Sequence, residues 1–202
     1  LGSGFGLLEI LIVLVILGLM SFVVIPSIGR IFQTELRSSV RKLASVAQGV
    51  FNEAVLTKKL HRLAIDIDEN KYWVEISLTE GEVFVRDDQA ESEEDEAYQT
   101  FQNSFGKLNT REYREEKLPT GVIIRDVVNE TLSETPFTGG VAHIYFYPFG
   151  EVDASLIHVF EERPDGVGYT IELLPISGAT RLYAGYTGYE GEEVTQDVNP
   201  QP

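Results

Sequence analysis

The 202-residue chain contains no cysteine, which excludes a disulfide framework and any thiolate metal site and leaves the redox state of its compartment open. Positive charge is scarce. Against 32 Asp and Glu stand only 16 Lys and Arg, a formal net charge of −16. So acidic a surface repels phosphate backbones and anionic headgroups, and no nucleic-acid partner is expected. Catalytic spacings are missing too. The histidines are His61, His143 and His158, with no H-x-x-x-H or H-E-x-x-H pair, and no G-x-S-x-G occurs. Neither an enzyme nor a catalytic residue is expected. The acids of 87–97 lack the alternating oxygen ligands and the Gly of an EF-type loop. They read as a solvated loop, with no metal and no cofactor. No internal repeat is present.

What the chain does have begins with "GFGLLEILIVLVILGLMSFVVIP" (4–26), where Glu9 is the one ionisable residue within 7–25. Nineteen helical residues span about 28 Å, close to the hydrocarbon thickness of a bilayer. A secretory signal peptide fits less well, because the run is long and no A-x-A-like site follows it. A carboxylate in hydrocarbon costs roughly several kcal/mol, so Glu9 calls for a partner. Beyond Pro26 the apolar residues are Ile28, Phe32, Leu36, Val40, Leu43, Ala47, Val50 and Ala54. Steps of three and four place them on one helix face. The pattern predicts one helix over about 7–57, apolar all round in its first half and striped in its second.

After Lys59 the period becomes two. "LAIDID" and "YWVEISL" around the turn "DENK" predict a β-hairpin, with a third strand at 81–85. Residues 98–117 read as a short helix or a long loop. Strands are predicted at 121–128, 141–147, 155–160, 168–174 and 180–186, punctuated by Gly and Pro. Tyr145, Phe146, Tyr147 and Phe149 are candidates for a contact patch, against the plainer reading of a strand half in the core.

The order Gly4, Phe5, Glu9, apolar run, Pro26 resembles the type IV prepilin signature of pilins and secretion pseudopilins. The resemblance implies cleavage by prepilin peptidase between Gly4 and Phe5, N-methylation of Phe5, and pairing of Glu9 with a Phe5 amine as an assembly and register device. It also implies a helix break between Gly18 and Pro26 on assembly. The family's leader is short and basic, whereas residues 1–4 hold no Lys or Arg. The expectation is a leader remnant at 1–4 whose start lies upstream of Leu1. The rest divides into a transmembrane and assembly helix at 5–26, a periplasmic pilin-like α+β domain at 27–188 and a loose acidic tail at 189–202.

Three further patterns resemble the H-type minor pseudopilins (the GspH/FimT family): "LHRLAIDIDENKYWVE" (60–75), "IYFYPFGEVDASLIHVF" (144–160) and "YTIELLPISGATRLY" (169–183). I- and J-type minor pseudopilins remain alternatives, while a major pseudopilin would end in a calcium loop that is not found. The resemblance implies a structural subunit near the tip of a type II secretion pseudopilus, single-pass in the inner membrane. Implied partners are other minor and major pseudopilins, prepilin peptidase and the inner-membrane secretion platform, with secreted substrate or the secretin as further candidates. A minor type IV pilin, acting in pilus assembly or adhesion, is the alternative.

Overall fold

The computed structural model describes residues 6–79, 96–133 and 135–192, and within these the side chains of all but 20–33 and 96–99. Helix α1 runs uninterrupted over Leu7–Thr57, as the periodicity predicts, and stops where Lys58 turns left-handed (φ 59°). Its second half carries the expected stripe. Leu36, Val40, Leu43, Ala47, Val50 and Ala54 are all buried, whereas Ile28 and Phe32 fall among the undescribed side chains.

Strands β1 (His61–Asp66) and β2 (Lys71–Ser77) form the predicted hairpin. Its turn needs a left-handed residue and has Asn70 (φ 51°) there, a residue that tolerates this conformation. Helix α2 (Glu96–Asn103), β3 (Phe105–Lys107) and β4 (Glu116–Lys117) follow, and they account for the ambiguous stretch 98–117. Then come β5 (Val122–Asn129), β6 (Val141–Tyr147), β7 (Glu151–Val152), β8 (Ser155–Glu161), β9 (Gly168–Leu173) and β10 (Thr180–Ala184). The third strand expected at 81–85 and the acids of 87–95 lie outside the described residues.

The strands make two antiparallel sheets, β3-β2-β1-β6-β7 with β4 also on β2, and β10-β9-β8-β5. Alternation decides which side chains meet the helix. Leu63, Ile65, Val74, Ile144 and Phe146 of the first sheet and Ile157, Val159, Ile171 and Leu173 of the second join the α1 stripe in one core cluster. The architecture is α+β, a long helix packed on two antiparallel sheets. Asn70 ties the two sheets together, because its side-chain carbonyl accepts the Ile124 N–H at 2.7 Å.

Two local features depart from simple alternation. The strand expected after the Pro148–Gly150 turn does not pair with the aromatic strand. Only the two residues of β7 pair with β6, after which the chain crosses to the second sheet. Buried Asp153 holds that crossing by accepting the Tyr145 N–H and the Asn129 side-chain amide, both at 3.1 Å. In β5 a bulge at Arg125 shifts the register between Ile124 and Asp126. The extra residue lets Ile124 and Val127 both face the core and turns Asp126 outward. Tyr189–Gly191, at the head of the expected tail, form a 3-10 turn, with the Tyr189 hydroxyl donating to the Ala154 carbonyl.

Candidate functional site

The expected assembly residues belong to the first half of α1. Gly4 and Phe5 lie outside the described residues. Gly6 caps the helix with extended backbone and accepts the Glu9 N–H at 2.9 Å. Glu9 therefore sits in the first turn, where unpaired N–H groups make the helix end positive and favour a carboxylate. Its side chain is exposed, and so is every side chain from 7 to 19. A helix that is apolar all round and bare requires lipid or other helices around it. At Gly18 an added Cβ would meet nothing within 4 Å. The helix passes through Gly18 and Pro26 without a break, although a proline inside a helix removes one hydrogen bond and crowds the carbonyl one turn back. Among the described residues no helix is long and apolar enough to cross a membrane; the described side chains of the apolar run end at Leu19.

The three histidines are held on different faces and are not brought together. His158 lies on the outer face of the second sheet with Nδ1 2.6 Å from Asp126 Oδ1 and Nε2 donating to the Thr187 carbonyl at 3.0 Å. A His–Asp pair activates a nucleophile through Nε2, but here a carbonyl occupies that nitrogen. Tyr186 also stacks on the imidazole at 3.8 Å, and the ring is buried. His61 points into the helix–sheet core, where Nδ1 donates to the Lys59 carbonyl at 2.9 Å and burial lowers its pKa. Its Nε2 is buried with no hydrogen-bond partner. His143 is on the outer face of the first sheet, pushed down to about 4 by burial and then by the positive charge of Arg62. Among the described residues no cluster of three metal-ligating side chains occurs.

The aromatic stretch divides as the plainer reading has it. Tyr145 and Phe146 are buried, Tyr147 is half-buried, and only Phe149 is exposed. Sequence reasoning missed Arg62, a buried cation on the outer face of β1. Its Nε donates to Glu75 at 2.6 Å, Phe105 lies 4.0 Å from its guanidinium carbon, and a further guanidinium nitrogen donates to Gln102 of α2. No charge pattern marks it, because Glu75 becomes its partner only through the hairpin register.

No family model and no curated protein matches the chain. It is similar to two solved structures of the minor pseudopilin EpsH from the type 2 secretion system of Vibrio cholerae. One is 17% identical with a TM-score of 0.49, covering 74% of this chain and 97% of that one. The other is 15% identical with a TM-score of 0.49, covering 77% and 97%.

Proposed function

We propose that the chain is a minor pseudopilin, a structural and non-enzymatic subunit at or near the tip of a type II secretion pseudopilus. The observation that carries this reading is α1 itself. A 51-residue helix, about 77 Å long at 1.5 Å per residue, is bare and apolar at one end, with Glu9 in its first turn, and buried in an α+β domain at the other. Such an element has one end for a membrane or a bundle and one for a head. The domain would lie in the periplasm and the bare half in the inner membrane before assembly. Partners would be other pseudopilins, met first through the helix, together with prepilin peptidase and the secretion platform. The acidic surface speaks against nucleic acid, and the capped His158–Asp126 pair speaks against catalysis.

Cleavage after Gly4 would leave a positive amine on Phe5, near Glu9 along the chain. In a filament the carboxylate of one subunit would pair with the amine of the next. A buried pair adds little net stability over an apolar match, but a shifted register strands a charge. Glu9 would therefore set the axial register. Opening of the helix between Gly18 and Pro26 would accompany assembly.

The test uses the full chain in its native membranes. Intact mass should correspond to a chain beginning at mono-methylated Phe5. Glu9→Leu should still insert, since it removes a charge from an apolar helix, yet crosslink to sister subunits at a small fraction of the normal yield. A mature chain that keeps residues upstream of Phe5, or normal crosslinking and secretion with Glu9→Leu, would overturn the reading.

A further inference from the structure

Beyond β10 the chain turns back on itself at Gly185, which is left-handed (φ 85°) and so suits glycine. Residues 185–192 then lie as a strap over the outer face of the second sheet, and polar bonds hold them there. Thr170 donates its hydroxyl to the Gly185 carbonyl at 2.8 Å and accepts the Thr187 N–H at 3.1 Å. Glu172 accepts the Glu190 N–H at 3.1 Å. The Thr187 carbonyl meets His158 Nε2 at 3.0 Å. His158, Thr170, Glu172 and Thr187 are all buried, so these bonds are shielded from water. Among the described residues, however, the Thr187 hydroxyl oxygen is buried without a hydrogen-bond partner. Opening the strap would return it to water, which offsets part of what the closed strap gains.

His158 makes a demand that the other contacts do not. Its Nδ1 lies 2.6 Å from Asp126 Oδ1 while its Nε2 faces the Thr187 carbonyl, so both ring nitrogens meet acceptors. A neutral imidazole has one N–H and one lone pair, and only the imidazolium donates twice. Loss of one proton breaks one of the two bonds. The bond to the carboxylate survives, because a bond to an ionised group is about twice as strong as a neutral one. The remaining hydrogen stays on Nδ1, and the Nε2 lone pair is left against the Thr187 carbonyl oxygen. Around the ring, Arg125 lies over Tyr186 at 5.5 Å and Arg181 lies 3.9 Å from Glu172, and both guanidiniums stay charged. Burial pushes the Tyr186 and Tyr189 hydroxyls up, Tyr189 to about 12, beyond the range in which an imidazole changes charge. Glu172 also accepts the Tyr183 hydroxyl at 2.9 Å. Protonating Glu172 would loosen the strap towards acid, the opposite sign to deprotonating His158.

We infer that residues 185–192 form a proton-operated latch, closed on the sheet while His158 donates from both nitrogens and opened at Thr187 when the ring loses one proton. Tyr186, stacked on the imidazole, moves with the strap. Opening uncovers the outer face of β8 and β9 next to β10, the strand that ends the second sheet. The inference concerns the head alone and stands apart from the pseudopilin reading.

The experiment follows backbone hydrogen exchange of the full chain in detergent micelles at about pH 5 and about pH 8, the limits of histidine's ordinary range. Rates are corrected for the intrinsic pH dependence of exchange. Exchange at 186–190 should rise about tenfold or more at the higher pH relative to β8 and β9. Asp126→Asn is the decisive variant. Its side-chain amide donates to Nδ1, so the neutral ring keeps its hydrogen on Nε2. The strap of that variant should stay protected at both pH values. Ring nitrogen-15 shifts of His158 in the unaltered chain are the second readout, with both nitrogens protonated at the lower pH and Nδ1 alone at the higher. Equal protection at both pH values, a looser strap at the lower one, a rise that survives Asp126→Asn, or a hydrogen kept on Nε2 at the higher pH would each overturn the inference. So would a rise shared equally by β8 and β9, which is loss of the sheet rather than release of the strap.

Discussion

Burial decides the chemistry of His143 and His61. In an unfolded chain each would take up a proton near pH 6.5, but in the fold both are pushed down, His143 to about 4. Between those values the unfolded state binds more protons than the folded one, so stability falls as pH drops from about 6.5 towards 4. The urea midpoint of the domain from Arg30 onward should fall across this window. His143→Gln, which cannot titrate, should flatten the dependence. Identical slopes for the two proteins would remove His143 as a contributor. Nothing in the sequence around His143 announces this. Alternation places it on the outer face of β6, and the covering by its neighbours is a tertiary fact.

At the scale of elements, α2 is the case where local sequence is least informative. Residues 96–103 are mostly polar, and the helix they form meets the first sheet through Arg62 and through Tyr145, against which Phe101 packs at 5.8 Å between ring centroids and to whose hydroxyl the Gln102 amide donates. Arg62 reaches Gln102 of α2 while paired to Glu75, which also accepts the Trp73 indole N–H at 2.6 Å. Removing one partner of a buried pair leaves the other unpaired and costs about 3–5 kcal/mol. Arg62→Ala should lose stability of that order by urea unfolding, and hydrogen exchange should show α2 deprotected before the core strands. A loss under about 1 kcal/mol with α2 still protected would mean that Arg62 does not hold the helix. By contrast α1 was legible from end to end, because its stripe repeats at a single period over the whole domain half.

The whole molecule is two regimes joined by one helix. Residues 7–19 of that helix are exposed and, apart from Glu9, apolar or glycine, and its striped half belongs to a core shared with both sheets. A fragment starting near Arg30 should therefore be a soluble α+β domain, and its acidic surface should keep it monomeric at low salt. Sedimentation and circular dichroism check this. A helix-dominated spectrum or a stable homodimer would contradict the separation of roles.

By itself the sequence determined what is local and periodic. The span of α1, the hairpin at β1–β2, the later strands and the bare apolar run with Glu9 follow from spacings of 3.6 and 2, which are set by backbone geometry within one element. The candidate assembly residues Gly4, Phe5 and Glu9 come instead from the resemblance to the prepilin signature, and Gly4 and Phe5 lie outside the described residues. Which strands share a sheet was decided only in three dimensions. The chain leaves β7 for the second sheet where Asp153 accepts the Tyr145 N–H and the Asn129 amide. The bulge at Arg125 sets Asp126 beside His158, and the hairpin register sets Arg62 beside Glu75. The turns that carry Gly150 and Gly178, far apart in the chain, come together over the same turn of α1, beside Val55 and Phe51. Each of these is a long-range pairing, and its energy comes from satisfying buried polar groups and filling shared space. No spacing within a single segment encodes that.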